Sequence, residues 1–101
     1  MTRRLYLHDI LMEKLGSRNV YFQPPETLKM SYPCIVYAWS GNEVYHADDR
    51  PYRVKRKYSA TVIDPNPDSE IPDKIAEMPM TELNRTYTTE RLNHYVFTIY
   101  Y

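Results

Sequence analysis

The sequence predicts an α+β fold, an antiparallel β-sheet with two helices packed on one face, in the order α-β-β-β-α-β-β. Three observations predict it. An apolar stripe at helical spacing (Leu7, Ile10, Leu11, Leu15) opens the chain, a long alternating run (Tyr52 to Ile63) fills its middle, and a tyrosine-rich alternating segment (Asn93 to Tyr101) closes it. Helices and strands in separate runs bury their apolar sides against each other as two layers. The 101 residues are enough for one domain, 1–101, with a thin core.

The first helix follows from the i, i+3, i+4, i+8 spacing of its stripe. Gly16 stands where a helix end favours a left-handed residue. Asn19 to Gln23 is a short β-prone run, stopped by Pro24-Pro25 and followed by a polar loop through Ser31. Pro33 to Trp39 is a nearly continuous apolar strand, a pattern expected where both faces are covered. Ser40-Gly41-Asn42 punctuates it, and Glu43 to Arg50 reads as a polar loop or frayed edge.

In the long strand Tyr52, Val54, Tyr58, Ala60 and Val62 share one face, and Arg53, Lys55, Lys57, Ser59 and Thr61 share the other. Arg56 interrupts the apolar face, as at a bulge or bend near the sheet margin. Asp64 to Ser69 is a turn leading to a second helix. Asp68 or Ser69 can cap it, Pro72 fits its first turn, and Ile71, Ile75 and Met78 form its stripe before Pro79 ends it. Thr81 to Tyr87 and Asn93 to Tyr101 are the arms of a hairpin. Its last arm puts Tyr95, Phe97, Ile99 and Tyr101 on one face and His94, Val96, Thr98 and Tyr100 on the other.

Composition narrows the function. Thirteen basic and 13 acidic side chains balance to zero net charge, which argues against a dedicated nucleic-acid binder. A single cysteine, Cys34, fits a reducing compartment. The N-terminal residues carry no long apolar run of the kind a signal peptide needs. No run reaches the roughly 20 apolar residues that span a bilayer, so no membrane is expected. Eleven tyrosines stand against two phenylalanines. Tyrosine suits wet protein interfaces, and it equally suits the margins of a thin core.

Chemistry has little to build on. Cys34 lies within an apolar strand, where thiols are ordinarily inert. His8, His46 and His94 stand on separate elements, and neither Cys-x-x-Cys nor His-x-x-x-His occurs. His46-Ala47-Asp48-Asp49 is the one compact group of metal-ligand types, and it reads as a solvated loop. Gly16 and Gly41 are isolated, so no glycine-rich phosphate loop is present. No catalytic residue, metal or cofactor is expected, and the chain is not read as an enzyme. The run Arg53, Lys55, Arg56, Lys57 reads as a solvated sheet face, or as a stripe meeting an acidic partner or DNA.

Taken in order, several segments resemble the tail-terminator (tail-completion) proteins of long, non-contractile-tailed bacteriophages. They are the N-terminal helix with Asn19-Val20-Tyr21-Phe22-Gln23-Pro24-Pro25, Ser31-Tyr32-Pro33-Cys34-Ile35-Val36-Tyr37, the strand Tyr52 to Ile63 and the helix Ile71 to Met78. The segment Arg85 to His94 also looks like small phage neck or tail proteins. The resemblance implies a structural virion protein, assembled in the host cytoplasm and located at the tail neck. It implies a homo-hexameric ring on the head-proximal end of the tail tube, which stops tube polymerisation and docks to the head-neck connector. Its partners would be copies of itself, the major tail protein and the connector, with genomic DNA passing through. In such a ring Arg53, Lys55, Lys57, Tyr95, Tyr100 and Tyr101 are the candidate interface or lumen-facing residues. A head-to-tail connector (stopper) or another neck protein is the nearest alternative. A small nucleic-acid-binding module, using the basic strand and exposed tyrosines, is the alternative from another class. The loops at 24–31 and 43–50 are expected to reorder on assembly.

Overall fold

A computed structural model describes residues 2–47 and 50–101, with the backbone alone at 43–47 and 50–54. The elements are α1 (Arg3–Leu15), β1 (Val20–Phe22), β2 (Cys34–Ala47), β3 (Arg50–Asp64), α2 (Ile71–Ala76), β4 (Thr81–Thr89) and β5 (Leu92–Tyr100). This is the α+β order the sequence predicts. The five strands form one sheet in the order β1-β2-β3-β5-β4.

The signals of α1 act as expected. Thr2 caps α1, its side chain accepting from the Leu5 amide, and Gly16 ends it at φ 80°. That left-handed angle is one glycine adopts without steric cost. Leu7, Leu11 and Leu15 are buried, and Ile10 packs beside them. Helix α2 starts at Glu70 rather than at an Asp68 or Ser69 cap; Ser69 Oγ instead accepts from the Ile71 amide. Ile75 and Met78 are buried, with Ile71 against them.

Both helices lie on one face of the sheet. A single cluster joins Leu7, Leu11 and Ile75 to Ile35 and Tyr37 of β2, Tyr58, Ala60 and Val62 of β3, and Phe97 and Ile99 of β5. From Tyr58 onward in β3, and in β5, the alternation therefore sorts side chains as the sequence indicates, while the side chains of Tyr52 and Val54 lie outside the described residues. Tyr37 and Tyr58 meet edge to face at 6.0 Å between ring centroids, and Phe22 sits 4.9 Å from Tyr37. Such geometry favours aromatic quadrupoles beyond the burial of ring area.

Four points differ from the sequence expectation. First, β1 joins the sheet parallel to β2 (Val20↔Ile35, Phe22↔Tyr37), so the sheet is mixed rather than wholly antiparallel. The polar loop after Phe22 is long enough to carry the chain back, and parallel pairing leaves no local signature. Second, the outer face of β2 is covered only in part: Cys34 is fully buried, whereas Val36 and Ala38 are half-buried. Third, Ser40-Gly41-Asn42 does not end β2. The strand shifts register between Trp39 and Gly41 and runs on to Ala47. Fourth, β3 begins at Arg50, so part of the expected polar loop at 43–50 is strand. Polar residues can form a ribbon because the cross-strand hydrogen bonds come from the backbone.

The two long strands set the shape of the molecule. At about 3.4 Å per residue, a strand like β3 spans roughly 50 Å, and the longest dimension of the molecule is 50 Å against 24 and 23 Å across. β1 reaches β2 only as far as Tyr37, and β5 pairs with β3 only from Lys57 onward. Beyond these points β2 and β3 pair with each other from Asn42↔Arg56 to Ala47↔Arg50. The result is a two-stranded arm extending from the sheet. At the other end of the sheet, Glu90 and Arg91 (φ 52° and 64°) form the two-residue turn between β4 and β5. Positive φ at both turn positions matches the twist of a tight hairpin.

Candidate functional site

The sequence candidates fall in different places. Arg53 pairs with Tyr45 in the arm, and its side chain lies outside the described residues. The side chain of His46, together with Asp48 and Asp49, also lies outside them. Among the described residues, no group of three or more His, Cys, Asp or Glu could hold a metal ion. Lys57 pairs with Tyr100 on the outer face, both half-buried. Lys55 and Tyr100 line a cavity of about 330 Å³ together with Ile10, Lys14, Met78 and Met80. Tyr95 and Tyr101 pack against the helix-covered core, and Tyr101 lines that cavity as well.

The tyrosines thus divide between both readings of their abundance. Tyr37 and Tyr58 are fully buried, Tyr95 and Tyr101 are core margin, and Tyr6, Tyr32 and Tyr87 are exposed. Tyr87 stacks on His94 at 4.5 Å and carries the Arg85 guanidinium 5.2 Å from its ring. It belongs to β4, an edge strand exposed along nearly its whole length, which also exposes Leu83. Asn84 donates to Thr98 at the irregularity between Leu83 and Arg85. A free edge of this kind is a template for pairing with another chain.

A feature the sequence reading missed lies where α1 begins. A cavity of about 680 Å³ is lined by Thr2, Arg3, Arg4, Leu5, Trp39, Asn42, Arg56, Tyr58 and Tyr101. Arg56 is the residue that interrupts the apolar face of β3. Arg56 is exposed and does not enter the core. Its guanidinium lies over the Trp39 ring at 4.9 Å instead. Arg3 lies over Tyr101 at 4.9 Å and donates through Nε to the Tyr101 carbonyl at 3.0 Å. Arg4 lies 4.4 Å from the Phe22 ring. The first turn of α1 contains no acidic residue, although the positive end of a helix dipole favours anions and disfavours cations. The signal was in the sequence, as Arg3-Arg4 after a capping threonine. Its meeting with Arg56 needed the tertiary fold.

Arg4 is tied inward. Its guanidinium donates to the Tyr37 hydroxyl at 3.1 Å, and that hydroxyl lies 2.7 Å from His8 Nδ1. Burial, reinforced by the Arg4 charge and opposed by Asp9, lowers the His8 pKa below its ordinary value. A neutral His8 accepts at Nδ1 from the Tyr37 O–H while the Tyr37 oxygen accepts from Arg4. Burial raises the Tyr37 pKa, which keeps the hydroxyl protonated for that role. Cys34 is fully buried, and desolvation pushes its thiol up to about 11. A group so rarely ionised at neutral pH is no nucleophile.

No family model, curated protein or solved structure matches this chain. No helix among the described residues is long and apolar enough to cross a membrane.

Proposed function

We propose that this chain is a structural assembly protein of the tail-terminator kind. Copies form a closed, hexameric ring at the head-proximal end of a phage tail tube. The ring stops tube growth and docks to the head-neck connector, with DNA passing through its lumen. The observation that carries the assembly reading is the β2–β3 arm, from Asn42↔Arg56 to Ala47↔Arg50. A two-stranded ribbon alone in water is marginal, and packing against another surface is its ordinary source of stability. The phage-tail assignment itself rests on the resemblance of the sequence segments.

Ring closure needs two different complementary patches on each copy. The arm supplies one. The second is the half-buried outer face, where Val36, Thr61 and Val96 lie side by side on β2, β3 and β5. The β4 edge with Leu83 and Tyr87 remains for the tail tube or the connector. Arg53, Lys55 and Lys57 on the arm and its root then face the lumen or a neighbouring copy. A stopper of the neck would use the same arm, and preferential binding to the head connector over the tail tube favours that reading.

The test removes the arm. Replacing residues 44–54 by Asn-Gly closes the cross-strand pair Glu43 and Lys55 with a two-residue turn. Mass by light scattering is measured for both proteins, alone and with tail-tube protein. The expected result is a ring for the intact chain and a folded monomer for the armless one. A strict monomer for the intact chain in both conditions refutes assembly, and an armless chain that assembles equally well refutes the role of the arm.

A further inference from the structure

We infer that the 680 Å³ cavity at the start of α1 binds a small phosphate-bearing ligand, with its phosphates on Arg3 and Arg56. Arg3 and Arg56 come from two elements distant in sequence and line one cavity, with their guanidiniums on the rings of Tyr101 and Trp39, which line it too; the Arg4 guanidinium is turned toward Tyr37 and Phe22, which lie outside the lining. No Asp or Glu stands among the described residues that line it. The charge therefore calls for a multivalent anion: one carboxylate answers one guanidinium, whereas a phosphate group carries up to about two negative charges and three acceptor oxygens.

The donors are already held in place. Arg3 is fixed by the Tyr101 carbonyl and ring, and Arg56 by the Trp39 ring. Each guanidinium has five N–H donors, and the contact to the Tyr101 carbonyl engages one donor on Arg3. Stacking uses the plane of the group and leaves its edge for forked bonds to phosphate oxygens. Side chains restrained before binding lose little freedom on binding.

Size points the same way. Small-molecule sites occupy about 300–1,000 Å³, and this cavity has room beyond a lone phosphate. Trp39, half exposed at 49%, and Tyr101 offer aromatic surface to an organic group. Two sources share this chemistry, free polyphosphate and a nucleotide, and the aromatic wall favours the nucleotide.

Trp39 is the one tryptophan of the chain, so its fluorescence reports on this cavity. The intact protein is titrated with pyrophosphate by fluorescence, and with pyrophosphate, ADP and an oligoglutamate of matched charge by calorimetry. Pyrophosphate and ADP are expected to bind, ADP more tightly, with the peptide weaker than either. Arg56→Gln, at an exposed position, is expected to weaken phosphate binding by roughly tenfold to a hundredfold, the effect of losing a charge-assisted hydrogen bond. Arg3→Gln is the second variant should the first misfold. Lys74→Gln on α2, far from the cavity, is expected to leave binding unchanged. Absence of binding by both pyrophosphate and ADP overturns the proposal. So does tighter binding of the peptide, or equal loss in Lys74→Gln and Arg56→Gln. The armless chain retains Asn42 and Arg56, so it is expected to bind phosphate even where assembly fails, which separates this site from the ring.

Discussion

Tyr37→Phe isolates one oxygen at the join between core and cavity. The ring is fully buried and keeps its contacts with Phe22 and Tyr58, so no cavity opens. What disappears is the hydroxyl that lies 2.7 Å from His8 Nδ1 and 3.1 Å from the Arg4 guanidinium. An ordinary hydrogen bond contributes about 0.5–1.5 kcal/mol net, and one to a charged group about 1.5–3. Both partners are half-buried, so water replaces part of each bond and the lower part of those ranges applies. The expected loss is about 1–2 kcal/mol. For a domain of this size that lowers Tm by roughly 5–15 °C. Truncating a core aromatic such as Phe97 to alanine costs about 3–5 kcal/mol and sets the upper bound. Urea unfolding followed by far-UV circular dichroism measures the change, as a lower midpoint at constant slope. An unchanged midpoint refutes the bridging role of the hydroxyl. A loss as large as that of Phe97→Ala refutes the assumption that the ring stays in place.

Two further outcomes follow from burial. The Cys34 thiol, pushed up to about 11, is expected to resist a thiol reagent at pH 8 in the native protein and to react at once in urea; rapid native labelling would contradict its burial. Burial and Arg4 lower the folded-state pKa of His8 below the unfolded value near 6.5, so the unfolded chain binds the proton more readily. The His8 contribution to stability is then complete above about pH 6.5 and declines as pH falls toward the folded-state pKa. His8→Gln is expected to flatten that slope in urea midpoints measured between pH 7.5 and 5, and an identical slope in the variant contradicts the assignment.

How far the sequence reaches differs between elements. Leu7, Leu11 and Leu15 declare α1 and its buried face because helical periodicity is a local property. Tyr58, Ala60 and Val62, with Phe97 and Ile99, declare the sheet face in the same way, since strand alternation is also local. Ser40-Gly41-Asn42 misled because the residues of a turn are also the residues of a bulge, and only the partner strand distinguishes them. The extent of the arm was hidden for a related reason. Polar residues at 43–50 show no burial pattern, and backbone pairing carries the ribbon without one.

From the sequence alone came the element order, both helix faces, the core side of each long strand and the inert setting of Cys34. All of these depend on spacing along the chain and on the aversion of apolar groups to water. Only the tertiary structure decided that β1 runs parallel to β2, that the β2–β3 ribbon extends past the sheet, and that Arg56 and Arg3 line one cavity. Each of these joins residues far apart in sequence, and the geometry that joins them exists only once the helices have settled on the sheet.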